Sequence, residues 1–312
     1  MPDNPTGEFA LIDWIRRRTP NHARVVVGPG DDTAILVPST RPILITTDML
    51  LEGSCFLLAE AGARRVGRKA IAVNLSDIAA MAGRPTAAVV SLGLPRDGGQ
   101  AIAQQLFKGM REVADAFDCP IVGGDTNSWN GSLVISVTIL GEATGRGPVC
   151  RRGARPDDWI FVTGPLGGSI LGKHLDFTPR VREAMELHRF ADLHAMIDIS
   201  DGLAADLHHI CEESQCGALI RAEDIPIADA CRELAARDGR ATLEHALTDG
   251  EDFELAFTVS PNDGARLLRD QPIDGVRLYR IGTIFSDGFE IEEGGLRRPL
   301  EKRGYEHSMG AK

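Results

Sequence analysis

Hydrophobic and polar residues follow two periods along this chain, and the switches between them divide it into strands and covering helices. Residues 8–18 carry Phe9, Ile12 and Ile15 at helical spacing, with Leu11 and Trp14 beside them and Thr19-Pro20 as a stop. That pattern predicts an opening helix. Apolar runs at 24–27, 34–37 and 43–47 predict strands; Gly28-Pro29-Gly30 ends the first, and the third delivers Asp48 at its end. Val66, Ala70, Val73, Ile78 and Met81 space out a long helix over 63–83, closed by Gly83-Arg84-Pro85, with Asp77 in its interior. A strand over 87–94, a helix over 99–117, a short apolar run at 120–122 and a strand over 133–140 complete the first half.

Thr144-Gly145-Arg146-Gly147-Pro148 has linker composition, so the expected domains are 1–146 and 147–312. In the second half, strands are predicted over 159–163, 195–199, 218–220, 253–259 and 276–284. Helices are predicted from Ser169 onward and over 202–216, 227–236 and 263–270. A chain of 312 residues is long enough for two cores. Because some strands arrive in adjacent pairs, the expected class is α+β: a mixed sheet with helices on one face in the first domain, an α/β second domain, and a ligand cleft between them. Both halves repeat the theme of strand, Asp-bearing turn and helix, without a repeat at the level of sequence.

Hydrophobic residues at 43% and charged residues at 25% are ordinary globular usage. The net charge of -11 argues against nonspecific nucleic-acid binding, which needs a basic face. The same acidity suits either a carboxylate-lined metal site or a merely soluble surface. Six cysteines (Cys55, Cys119, Cys150, Cys211, Cys216, Cys231) form no C-x-x-C pair and no zinc spacing with histidine. The first residues lack a basic and apolar signal, and no apolar run reaches the roughly 18 residues of a membrane span. A reducing cytoplasm, with no membrane partner, is the expected setting.

The candidate chemistry lies in aspartates set among hydroxyls and glycines. Gly123-Gly124-Asp125-Thr126 follows the 120–122 run, and its glycines leave the backbone open to a ligand. Gly30-Asp31-Asp32, Thr46-Thr47-Asp48, Asn74-Leu75-Ser76-Asp77, Asp198-Ile199-Ser200-Asp201-Gly202 and Asp249-Gly250-Glu251-Asp252 resemble it in kind. Such oxygens suit hard divalent cations and the phosphates they carry. The candidate ligand set is Asp32, Asp48, Asp77, Asp125 and Asp198, with Thr47 and Thr46 adding hydroxyls. Asp77 has a plainer alternative as a surface residue of its helix, and Asp201 as a helix cap, whereas Asp198, inside its strand, has none. Gly164-Pro165-Leu166-Gly167-Gly168 could receive phosphate or be a tight turn, since it lacks the Walker ending. His174, His188, His194, His208 and His209 have no motif context and are expected to be solvated. Phosphoryl transfer to an acceptor phosphate fits that inventory, because the acceptor is ionised near neutrality and needs no base, and a cation such as Arg151 can offset developing charge.

Taken together, Gly28-Pro29-Gly30-Asp31-Asp32, Thr46-Thr47-Asp48-Met49-Leu50-Leu51-Glu52-Gly53, residues 72–81, Gly123-Gly124-Asp125-Thr126, Asp198-Ile199-Ser200-Asp201-Gly202-Leu203 and Gly250-Glu251-Asp252-Phe253-Glu254-Leu255 resemble the thiamine-monophosphate kinases of the aminoimidazole ribonucleotide synthetase superfamily. The resemblance runs from Gly7 to His307. It implies ATP-dependent conversion of thiamine monophosphate to thiamine diphosphate by in-line attack, with several Mg²⁺ ions between the phosphates. It also implies Asp32, Thr46, Thr47, Asp48, Asp77, Asp125, Asp198 and Asp201 as metal ligands, with Asp48, Asp125 and Arg151 carrying the chemistry. Gly124, Asp125, Arg151, Ser200 and Phe107 would contact ATP, and Glu251 and Tyr305 would contact thiamine. A homodimer pairing N-terminal sheets is implied as well.

The sequence departs from the family at Ser54-Cys55-Phe56, where a His-Phe pair is usual near the substrate. Cys55 takes that substrate position or serves as a small apolar filler. Two rival readings remain: a superfamily synthetase acting on another acceptor, and a nucleotide sensor without turnover. Selenophosphate chemistry fits less well, because no cysteine precedes Gly30.

Overall fold

The computed structural model describes residues 8–29 and 33–306. The chain divides into two units, Met1–Ile78 with Arg84–Ala143, and Ala79–Gly83 with Thr144–Lys312. The first unit opens with α1 (Glu8–Arg16) and an antiparallel pair, β1 (Val25–Val27) with β2 (Ile35–Leu36). It continues through β3 (Ile43–Leu51), α2 (Leu58–Ala61), α3 (Ala63–Ala80), β4 (Arg84–Pro95), α4 (Gly99–Ala116), β5 (Ile121–Trp129) and β6 (Val134–Glu142). Its four-stranded sheet has the order β3-β6-β4-β5, antiparallel except for β4 with β5. The mixed sheet is the one its paired strands predict.

Strands run longer than their apolar runs. β3 continues past Thr47 to Leu51, so Asp48 sits inside the strand; β5 continues past Val122 to Trp129, so Asp125 does too. Both extensions are polar or exposed on alternate positions, a pattern an edge strand tolerates. α3 buries Val66, Ala70, Ile71, Leu75 and Ile78. Its close neighbour is α4, where a Cβ on Gly109 would lie 1.8 Å from the Arg64 carbonyl oxygen and one on Gly67 2.2 Å from that of Leu106. The two helices touch backbone to backbone there.

The second unit comprises β7 (Trp159–Val162), α5 (Lys173–Asp176), α6 (Val181–Phe190), β8 (Leu193–Asp198), α7 (Leu203–Ser214), β9 (Gly217–Arg221), α8 (Asp229–Asp238), α9 (Thr242–Thr248), β10 (Leu255–Val259), α10 (Pro261–Asp270), β11 (Tyr279–Phe285), β12 (Phe289–Glu293) and β13 (Leu296–Pro299). The strands form one sheet in the order β13-β12-β9-β11-β7-β10-β8. Strand and helix alternate here as expected, yet only β9 with β12 runs parallel, so this half is also α+β. Leu203, Leu207 and Ile210 of α7 are fully buried against Ile160, Val162, Ile197 and Ala256, each apolar side chain contributing about 1.5–3 kcal/mol by burial. Ser169 opens only a single 3-10 turn (Ser169–Leu171) before the four-residue α5, not the helix its glycines suggested. The β12–β13 hairpin and α9 have no apolar run long enough to announce them; β13 is exposed throughout.

Candidate functional site

In the first unit the pleat of β3 separates the two neighbouring threonines. Leu44, Thr46, Asp48 and Leu50 share the more buried face, whereas Ile45, Thr47 and Met49 are exposed on the other. Thr46 Oγ1 donates to Asp77 Oδ2 of α3, which joins the hydroxyl and carboxylate that residue spacing alone could not connect. Asp48 is on the same face, with its Oδ2 buried and without a hydrogen-bond partner. Burial, reinforced by the Asp77 carboxylate, pushes the Asp48 carboxyl up to about 7. Thr47 takes no part in this group: its Oγ1 donates to the Val137 carbonyl at 3.0 Å and accepts from Thr138 Oγ1 at 3.0 Å. Alternation along the strand thus sets the hydroxyls of Thr46 and Thr47 on opposite faces of the sheet.

Asp125 is exposed on β5 and pairs in register with Ser91, which pairs in turn with Ser136. Cross-strand partners share a face, so Asp125 lies on the Thr47 side of the sheet and not with Asp48. Gly124 pairs with Val90, and a Cβ there would come 1.9 Å from the Val90 carbonyl oxygen. Its missing side chain is thus required by the neighbouring strand, whatever ligand also approaches. Phe107, expected to lie against the nucleotide, is buried, 6 % exposed, with its ring edge-on to Trp14 at 5.6 Å. Cys55 is half-buried; its thiol turns back on β3, receiving the Leu51 N–H at 3.5 Å, while its carbonyl accepts from Lys69 Nζ at 2.8 Å. Asp32 lies outside the described residues.

The second unit gathers its candidates around the turn between β8 and α7. Asp198 is buried at the end of β8, and Ser200 and Asp201 follow. The expected cap role of Asp201 is wrong: the N-cap is Gly202, without side-chain capping, and Asp206 Oδ2 receives the N–H groups of Ser200, Asp201 and Gly202 at 3.1 Å each. Burial, then Asp198 and Asp201, push the Asp206 carboxyl up to about 8 against those backbone donors. Carbonyls of the same turn face the acceptor-side candidates. Ser200 O accepts the Glu251 N–H at 2.7 Å, Ile199 O the Phe253 N–H at 2.8 Å, and Asp201 O the Tyr305 N–H at 2.9 Å. Glu251 sits at φ 53°, a left-handed conformation costly for a side chain other than glycine. Its carbonyl is held by Ser169 Oγ at 2.5 Å. Arg151 is exposed, and Ser214 Oγ pins its loop by donating to the Arg151 carbonyl and receiving the Gly153 and Ala154 N–H groups.

Below Glu251 lies a buried charged brace that motif reading missed. Glu254 receives Arg180 Nε at 2.8 Å, Lys173 Nζ at 2.9 Å and Thr163 Oγ1 at 2.8 Å. Burial works to raise its pKa, but Lys173 and Arg180 outweigh it and hold Glu254 below the usual range. Asp252 receives the Gly167 N–H, so Gly164-Pro165-Leu166-Gly167-Gly168 is a turn tied to Asp252. The histidines expected in solvent are mostly occupied. His174 Nδ1 is 2.9 Å from the Ser169 carbonyl, and His194 Nδ1 is 2.8 Å from Asp158 Oδ2. His208 Nε2 contacts the Leu300 carbonyl, and His188 Nε2 accepts the Arg146 N–H, fastening the 144–148 turn to α6. His209 is lowered by burial, Lys302 and Arg151 against Glu212 and Asp201, which sets Arg151 and Asp201 in one neighbourhood.

Among the described residues no three His, Cys, Asp or Glu side chains form a metal-holding group by themselves. The donors nevertheless fit Mg²⁺, which takes one or two carboxylates and completes its shell with water and phosphate oxygens. The orphaned Asp48 oxygen beside Asp77 is the observation that fits: a dication there relieves both the missing partner and the like-charge repulsion.

Comparison with known proteins places this arrangement. Residues 30–143 match the AIR synthase related protein N-terminal domain, and residues 157–292 the corresponding C-terminal domain. A thiamine-monophosphate kinase of Rhodopirellula baltica is 41% identical over 285 residues, covering 89% of each chain. The crystal structure of thiamine-monophosphate kinase from Stenotrophomonas maltophilia K279a aligns with a TM-score of 0.79 at 36% identity, covering 91% of this chain and 96% of that one. A structure of AaThiL complexed with AMPPCP and TMP aligns with a TM-score of 0.75 at 30% identity, covering 97% of both. The chain belongs to the AIR synthase-related family and, within it, to the thiamine-monophosphate kinases.

Proposed function

We propose that this protein transfers the γ-phosphoryl group of ATP to thiamine monophosphate, forming thiamine diphosphate and ADP. The observation that carries this reading is the likeness over 97% of both chains to a relative complexed with AMPPCP and TMP. In the reaction, an oxygen of the acceptor phosphate bonds to the γ-phosphorus as the bond to the β-phosphate oxygen breaks, and ADP leaves. The acceptor's second pKa of about 6 leaves that oxygen unprotonated at neutral pH, so no side chain need remove a proton. That agrees with a site whose histidines are engaged elsewhere.

The residues bind, orient and neutralise. Thr46, Asp48 and Asp77, together with Asp125, Asp198 and Asp201, are the proposed ligands of Mg²⁺, which when bound offsets phosphate charge. Arg151 and Ser200 are assigned to ATP, and Glu251 and Tyr305 to the acceptor, with Cys55 at the position where the family carries histidine. The reading is tested by incubating the protein with Mg-ATP and thiamine monophosphate and following thiamine diphosphate and ADP. Asp125→Asn should reduce product formation at least a hundredfold; wild-type rate in that variant, or ADP release only with a non-thiamine acceptor, refutes the assignment.

Homodimerisation is part of the proposal. β3 is an edge strand whose outer face exposes Ile43, Ile45 and Met49 by 59 to 69 %, an apolar strip that a second copy could cover. Light scattering should give twice the 33.6 kDa chain mass. A cytoplasmic setting is proposed from six free cysteines; no helix among the described residues is long and apolar enough to cross a membrane.

A further inference from the structure

The turn between β8 and α7 carries more hydrogen bonds than a helix start needs. One acceptor on an early N–H group is the usual cap. Here a single oxygen, Asp206 Oδ2, collects the N–H groups of Ser200, Asp201 and Gly202, all of which precede the first residue of α7. Asp206 is 2 % exposed, so water cannot substitute for it. With their N–H groups turned toward Asp206, Ser200 and Asp201 aim their carbonyls outward at the backbone N–H groups of Glu251 and Tyr305, at 2.7 and 2.9 Å. The nucleotide-side residues and the acceptor-side residues are thus tied to one carboxylate through two peptide units.

We propose that Asp206 is a positioning residue that holds Ser200 and Asp201 in register with Glu251 and Tyr305, so that losing its carboxylate weakens the binding of both substrates together. This rests on the proposed function for the identity of the two ligands, and it extends that reading to a residue touching neither. A buried hydrogen bond contributes about 0.5–1.5 kcal/mol, and three buried N–H groups lose their acceptor together in Asp206→Ala.

The test measures binding by calorimetry, with Mg²⁺ and a nonhydrolysable ATP analogue in one titration and thiamine monophosphate in another. Asp206→Ala should raise both dissociation constants roughly tenfold, about 1.4 kcal/mol each. Asp206→Asn retains a side-chain carbonyl oxygen and should stay within about threefold of wild type for both. A variant that melts earlier but binds both ligands as the wild type does overturns the proposal, as does weakening of one ligand alone. If Asp206→Ala does not fold, amide hydrogen exchange of Asp206→Asn decides. Faster exchange should appear at residues 200–202 and at Glu251 and Tyr305 together; acceleration confined to 200–202 refutes the link. Neither measurement needs turnover, so a wild-type protein that binds nucleotide without phosphorylating thiamine monophosphate would defeat the functional reading and leave this one standing.

Discussion

Asp252 offers a prediction in which structure sets both sign and size. Its residue is 1 % exposed, both carboxylate oxygens face the Gly167 N–H at 2.9 and 2.8 Å, and it lies in the field of Lys173, Glu254 and Asp249. Burial pushes its pKa up to about 7, Lys173 and the Gly167 N–H oppose this, and Glu254 and Asp249 add to it. Lys173 acts on Glu254 as well, but its Nζ is bonded to Glu254 Oε1 at 2.9 Å. That commitment explains why Glu254 is lowered while its neighbour is raised. From the ordinary 3.8 to about 7 is roughly three units, or about 4 kcal/mol at 1.36 kcal/mol per unit.

The sign follows from where each state loses its proton. The unfolded chain releases it near 4 and the folded protein near 7, so the folded state binds more protons in between, and stability falls as pH rises through that window. The contribution is complete below pH 4 and gone above 7. Asp252→Asn abolishes the titration and keeps an oxygen for the Gly167 N–H. Urea denaturation of wild type and variant at pH 4.5 and pH 8 should show the difference shifting in the variant's favour by about 3 kcal/mol at the higher pH, the share of the titration that falls between those two conditions. Parallel stability curves across the two conditions, or a variant less stable at pH 8, would mean that the carboxylate stays ionised beside Lys173 and that the reasoning is wrong.

Other substitutions separate roles the sequence leaves fused. Thr46→Val removes the donor to Asp77 and should cut turnover about tenfold, whereas Thr47→Val, which loses only bonds to Val137 and Thr138, should cost about 1 kcal/mol of stability with turnover within twofold; equal turnover losses would contradict the strand alternation. Gly124→Ala drives a methyl to 1.9 Å from the Val90 carbonyl and should destabilise by about 3 kcal/mol, seen as a lower melting temperature; an unchanged one would show that β5 sits elsewhere. Glu254→Ala strands Arg180 and Lys173 beside a buried cavity and should cost about 3–5 kcal/mol in denaturation, with less than 1 kcal/mol showing that the brace is not structural.

These contrasts mark where sequence reading succeeds and where it stops. Helical spacing was enough for α3 and α7, because a stripe such as Leu203, Leu207 and Ile210 has one physical solution, burial against a sheet. Strand ends were harder, because Asp48 and Asp125 interrupt an apolar run without interrupting the backbone ladder, and a ladder at an edge tolerates polar residues. Motif resemblance supplied roles for Glu251 and Tyr305 that no periodicity contains. Asp206 escaped both approaches: at four residues past Gly202 it looks like any polar position of a helix, and its weight comes from three N–H groups converging on one oxygen. One local clue was present, since a helix opening at glycine without a Ser, Thr, Asp or Asn cap must find its acceptor further along. Buried carboxylates near the candidate residues therefore divide, on folding, into those with an unmet oxygen, such as Asp48, and those already engaged by backbone, such as Asp206. Only the first kind has bonding capacity left for a cation; the second sets the geometry in which that capacity is used.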